Sequence, residues 1–164
     1  MGRATNFARE LVKSLQAKKS NYAWNIAKPP GDNREAVDVV GEGRKRLILV
    51  EVELRRYGPV ANIVKIWKWL DEDAKAFEGK KVTVIQAFSS FYGRQGRPFL
   101  RENSEFLGRQ LQTQFKGRVK YIPISFKFNP YKKRKTASVT QGGGAMRNAA
   151  RKLSNKIALS AEHD

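Results

Sequence analysis

Cysteine is absent from this chain of 164 residues, and histidine occurs once, at His163 beside the C-terminus. The first absence excludes disulfides, thiolate nucleophiles and cysteine zinc sites. The second excludes Ser-His-Asp hydrolases, histidine-based nucleases and imidazole metal centres. Acidic residues are scarce: 15 Asp and Glu stand against 33 Lys and Arg, a formal charge of +18. No apolar run reaches the length of a membrane span or resembles a signal peptide, so a cytoplasmic protein with no membrane association is expected. Any hydrolytic chemistry must then run on carboxylates, lysines and a hard metal ion.

What is present is a chain long enough for one domain with an ordinary core, 40% hydrophobic overall. The charge balance speaks about partners and favours nucleic acid over an anionic membrane surface. Phe7, Leu11, Val12 and Leu15 form an apolar stripe that predicts a helix over 4–17, with Glu10 beside it. Trp24 and Ile26 suggest a short strand before the break at Pro29-Pro30-Gly31. Residues 36–40 and 46–54 read as a hairpin whose second strand is apolar on both faces until Glu51, the pattern of a central strand. Pro59 suits the first turn of a helix with Ile63, Ile66, Trp67, Leu70, Ala74 and Phe77 on one face and Gly79 at its end. A strand over 81–88, a loop over 89–98, a helix at about 101–115 with Leu107, Leu111, Gln114 and Phe115 along one side, and a strand over 118–128 follow. Pro123 marks that last strand as an edge or a bulge. Gly142-Gly143-Gly144 reads as a hinge or turn before a short basic helix over 145–159. The three tryptophans read as core or interface residues. The expected organisation is an α/β domain over 1–128 with a mixed central sheet flanked by helices, and a basic C-terminal extension of the same domain over 129–164.

Three of the few acids fall where they can converge. Period-2 geometry puts Glu51 and Glu53 on one face of their strand. Pairing Val40 with Leu47 sets Asp38 diagonal to Glu51, and pairing Val40 with Leu49 sets it directly opposite. Both registers place Asp38 on the Glu51/Glu53 face. Close carboxylates repel, and one must protonate unless a cation sits between them. A divalent metal is the natural cation, and in so basic a chain a phosphodiester is its natural substrate. The competing reading makes Glu51 and Glu53 strand-end acids paired with Arg55, Arg56 or lysines.

An Asp on one strand, Glu-x-Glu on the next and the Asn62/Lys65 helix beyond resemble the PD-(D/E)xK nuclease superfamily over roughly residues 4–90. The resemblance implies a restriction-endonuclease-like fold and a Mg²⁺-dependent endonuclease acting on DNA, with Mn²⁺ as a substitute ion. It implies Asp38 and Glu51 as metal ligands, with Glu10 where many members carry a further acid. Glu53 stands where the family usually has Lys, as in some restriction endonucleases of this superfamily, and becomes a general base or a ligand of a second ion. Lys65 and Arg55 become the cations that stabilise charge on the phosphate. Val37 replaces the Pro of the name. A homodimer follows from the same analogy, because many such nucleases cut two strands with two sites.

Nucleic-acid contacts are expected from Arg55, from the Phe91/Tyr92/Arg94/Arg97 loop, where aromatics would stack on bases, and from the run Lys132-Lys133-Arg134-Lys135. Gly142–Gly144 lacks the Lys-Ser/Thr of a P-loop. Two other classes fit the composition. One is a non-catalytic DNA- or RNA-binding protein acting through phosphate contacts alone. The other is a ribosomal or RNA-packaging protein in which the acidic cluster has no role.

Overall fold

The computed structural model describes residues 3–28, 36–55, 58–72, 74–93, 97–128 and 139–160. The elements are α1 (Arg3–Lys18), β1 (Ala23–Lys28), β2 (Val37–Glu42), β3 (Arg46–Glu53), α2 (Val60–Glu72), β4 (Lys81–Ser89), α3 (Pro98–Gln114), β5 (Val119–Phe126) and α4 (Val139–Ser160). Short 3₁₀ turns cover Ala74–Phe77 and Ser90–Gly93. The strands form one open mixed sheet in sequence order. The β1–β2 and β2–β3 pairs are antiparallel, and the β3–β4 and β4–β5 pairs are parallel. The class is α/β, as expected from the pattern.

Connectivity explains the layering. Parallel neighbours need crossover connections, and two crossovers of the same hand taken in one direction place both helices on one face. Accordingly α2 and α3 pack against Leu47, Leu49, Val82 and Val84, with Ile63, Ile66, Leu70 and Leu111 as the facing side chains. The other face, carrying Ile48, Val50, Val52, Ile85 and Ala87, is covered by Phe7, Leu11 and Leu15 of α1 and by Ala150, Leu153 and Ile157 of α4. The Ser14 and Ser154 hydroxyls hydrogen-bond between α1 and α4 (2.7 Å). The strand read as central is central, buried along nearly its whole length. Pro123 lies in edge strand β5, where its missing N–H costs no ladder bond on the open side.

Several boundaries differ from the sequence reading. Helix α2 stops at Glu72, and Gly79 ends the 3₁₀ segment that follows, with a φ of +66° that an L side chain rarely adopts. Leu107 and Leu111 of α3 and Phe115 at its end pack on the core as expected, joined by buried Ser104 and Gly108, whereas Gln114 is exposed. The hinge expected at Gly142–Gly144 lies within α4, which begins at Val139. Packing of the helix body on α1 outweighs the modest helix cost of glycine, about 1 kcal/mol each.

Candidate functional site

Two polar residue types stand out in an otherwise apolar sheet face. On β3 the odd-numbered residues face α2 and α3, and the last two are Glu51 and Glu53, both essentially inaccessible to solvent. On β4 the even-numbered residues face the same way, and Gln86 follows Val82 and Val84. The ladder pairs Glu51 with Gln86 and Glu53 with Phe88. The site therefore lies at the carboxyl ends of β3 and β4, beside the strand where antiparallel pairing changes to parallel.

Of the two hairpin registers open from the sequence, the structure takes Val40 against Leu49. The paired ladder ends at Val39 and Val50, and one further step sets Asp38 across from Glu51. The Asp38 carboxylate accepts a hydrogen bond from the Val52 amide (2.8 Å). Helix α2 brings the cation. Lys65 Nζ lies 2.7 Å from Glu51 Oε1, donates to the Ala36 carbonyl (2.8 Å), reaches Asn62 Oδ1 (3.4 Å) and sits 5.4 Å over the Trp69 ring.

Burial first, and the Asp38 charge second, push the Glu51 carboxyl up to about 8; Lys65 opposes them and Glu53 adds to the rise. Desolvation and a like charge both favour the neutral acid, and here they outweigh one ammonium. Glu51 thus titrates near neutral pH, within reach of proton-transfer chemistry.

Glu53 belongs to a different network. Its Oε1 accepts from Asn62 Nδ2 (2.8 Å) and from Gln86 Nε2 (2.8 Å). Gln86 also donates to the Pro59 carbonyl (3.0 Å), and its Oε1 accepts from Ser104 Oγ (2.8 Å) and Tyr121 OH (2.9 Å). Burial, then Glu105, raise the Tyr121 phenol further above its ordinary range, so it stays a donor. Tyr121 reaches Gln86 because α3 carries glycine at the crossing. A Cβ on Gly108 would collide with the Tyr121 ring. Sequence reasoning missed Gln86, Ser104 and Tyr121. A lone amide within Val82-Thr-Val-Ile-Gln-Ala-Phe88, apolar on both faces, was the available signal for Gln86. No sequence signal marks the other two.

The three carboxylates expected to converge share a face, but among the described residues no three Asp, Glu, His or Cys side chains gather as a metal-holding group. Glu10 is not brought to the pair. It sits on α1, whose packing face covers the other side of the sheet, and it pairs with Lys13 (3.2 Å). The acids that remain across from each other are Asp38 and Glu51, and an ion such as Mg²⁺ typically takes one or two carboxylates.

Arginines gather at the same end of the strands. Arg55 lies 5.4 Å and Arg97 4.7 Å from the Phe91 ring centre, and Arg101 lies 5.1 Å from that of Phe88. Phe91 and Tyr92 do not serve as open base-stacking platforms. Both are buried, packed with Phe88 and each other, and Phe91 acts as a support for the guanidiniums. Arg94, Lys132, Lys133, Arg134 and Lys135 lie outside the described residues. No helix among the described residues is long and apolar enough to cross a membrane. Comparisons with protein-family models, curated proteins and solved structures find no match to this chain.

Proposed function

We propose that this chain is a Mg²⁺-dependent endonuclease that hydrolyses phosphodiester bonds in DNA, built on a restriction-endonuclease-like variant of its α/β fold. The observation that carries the reading is the buried Glu51, facing Asp38 and touched by Lys65, at the strand ends of a chain with +18 charge. The order helix, three strands, helix, strand over α1 to β4 supports the fold part of the reading.

Asp38 and Glu51 are the residues that would hold the ion, Mn²⁺ being a substitute. Bound there, a divalent cation supplies Lewis-acid activation of the phosphate and of water. The remaining roles belong to the chain itself. Lys65 provides the ammonium that family members carry at the position of Glu53, and it stabilises negative charge developing on the phosphate. Asn62 sits between Glu53 and Lys65, so Glu53 acts as a positioning residue. Arg55 and Arg97 contact backbone phosphates beside the cut. Cutting both strands of a duplex requires two such sites, which makes a homodimer part of the reading.

The test is cleavage of plasmid, branched and single-stranded DNA in Mg²⁺, Mn²⁺ or EDTA. Metal-dependent cutting lost in Glu51→Ala, with DNA binding retained, supports the site. Lys65→Met is expected to lower the rate by about 10²-fold. Undiminished cutting by Glu51→Ala rules the site out. The second reading, a non-catalytic nucleic-acid-binding protein, is favoured by one observation: Lys65 already occupies Glu51 within the chain. It predicts steeply salt-dependent binding and no cleavage of any substrate.

A further inference from the structure

The opposite pole of the sheet has a different character. Strands β3, β4 and β5 run parallel, so their amino ends lie together, about 17 Å from Glu51 and about 23 Å from Glu53 at a rise of about 3.3 Å per residue. A hollow of about 160 Å³ opens there, lined by Arg46, Lys81, Thr83, Arg118 and Lys120 together with the Gly117 backbone. No acidic side chain lines it among the described residues. Arg46, Lys81 and Lys120 occupy strand positions of the parity that faces α1 and α4, while Val82 and Val119 of the same lining face α2 and α3, so the hollow lies across the amino ends of the strands.

Arg46 and Lys81 are direct cross-strand partners, and like charges set opposite each other destabilise a sheet. Lysines on an edge strand guard against aggregation, but Arg46 and Lys81 belong to the interior strands β3 and β4. The hollow shares Gly117, Val119 and Lys120 with a neighbouring one that adds Lys116, and Arg118 also borders one reached by Lys75 and Glu78. The cationic surface is thus a track, longer than a single small anion requires.

We propose that this track anchors backbone phosphates of a nucleic acid at a second contact, separate from the carboxylate site. The proposal rests on the nucleic-acid part of the functional reading and needs no cleavage. A chain with contacts at both poles of its sheet holds two stretches of nucleic acid, or one stretch bent around the strand ends.

The experiment measures binding of a labelled duplex and a matched single strand to the full chain in EDTA, across a salt series. The double variant Lys81→Gln/Lys120→Gln is compared with Lys13→Gln/Lys68→Gln, which removes the same charge from exposed positions elsewhere. The pole variant is expected to bind at least about tenfold more weakly. Its slope of log K against log salt on duplex should be shallower by about 1.8, the value for two lost phosphate contacts. Bound oligonucleotide should also shield Lys81 and Lys120 of the wild-type chain from acetylation, a readout independent of how well the variants fold. Equal losses in the two double variants overturn the proposal, because binding would then follow net charge alone. Shielding by inorganic phosphate but not by oligonucleotide overturns it as well. Failure to cut any substrate would sink the nuclease reading and leave this result standing.

Discussion

Glu51 couples the pH of the solution to the stability of the fold, and Glu51→Gln isolates that coupling. A carboxyl whose folded pKa lies above its unfolded value binds its proton more tightly in the native chain. Below about 4.5 both states hold the proton. Between 4.5 and about 8 the unfolded chain has released it and the native chain has not, so stability falls as pH rises through that window. Taking 4.5 and 8 as the two values, the loss between about pH 5.5 and about pH 7.5 comes to about 2–3 kcal/mol. The side chain is about 1% exposed, so solvent screening takes little from that figure. For a chain of this size it corresponds to about 5–10 °C in Tm. Glutamine keeps the shape and an acceptor for Lys65 but cannot ionise. The difference in Tm, variant minus wild type, should therefore rise by about 5–10 °C across the same interval. Other titrating groups largely cancel in that difference. Calorimetry in matched buffers measures it. A flat difference, or one that falls with pH, refutes the reasoning and means that Lys65 holds Glu51 ionised throughout. Millimolar Mg²⁺ at the upper pH should raise the Tm of the wild type and not of the variant, since only ionised Glu51 offers the ion a charged ligand there.

Gln86→Leu removes hydrogen bonds to Glu53, Pro59, Ser104 and Tyr121 at once and should cost at least about 3 kcal/mol in urea denaturation; a loss below about 1 kcal/mol would mean that the network relaxes. Gly108→Ala should cost about 1–3 kcal/mol and change the near-ultraviolet circular dichroism of Tyr121, because its methyl meets that ring. Leu153→Ala should cost about 2–5 kcal/mol if α4 is a full part of the core, and a value within about 0.5 kcal/mol of wild type would place the helix outside it.

Much of the fold was legible because it follows local periodicity. The stripe Phe7, Leu11, Leu15 packs as expected, and the strand Leu47 to Val52, apolar on both faces, lies between two helical layers. Glycine and proline were weaker guides. Gly142–Gly144 carry intrinsic penalties of only about 1 kcal/mol each, which burial of Ala150, Leu153 and Ile157 against α1 exceeds. Phe91 and Tyr92 read as loop aromatics free to meet bases, but a large apolar ring gains more from packing against Phe88.

The sequence by itself determined that Glu51 and Glu53 share a face, because side chains alternate along a strand with period two. It also determined that Asp38 shares that face, in either of two registers that differ by two residues. Only the tertiary structure decided which register, since one hairpin satisfies its alternation in both and the choice depends on how its strands meet the rest of the sheet. Only the tertiary structure separated the two acids chemically. Lys65, one turn along a helix that begins beyond the strand, is carried by the crossover to Glu51. Gln86, Ser104 and Tyr121 come from three further elements to form the network that holds Glu53. Contacts of that kind join residues tens of positions apart, and such pairings arise only when the helices close over the sheet.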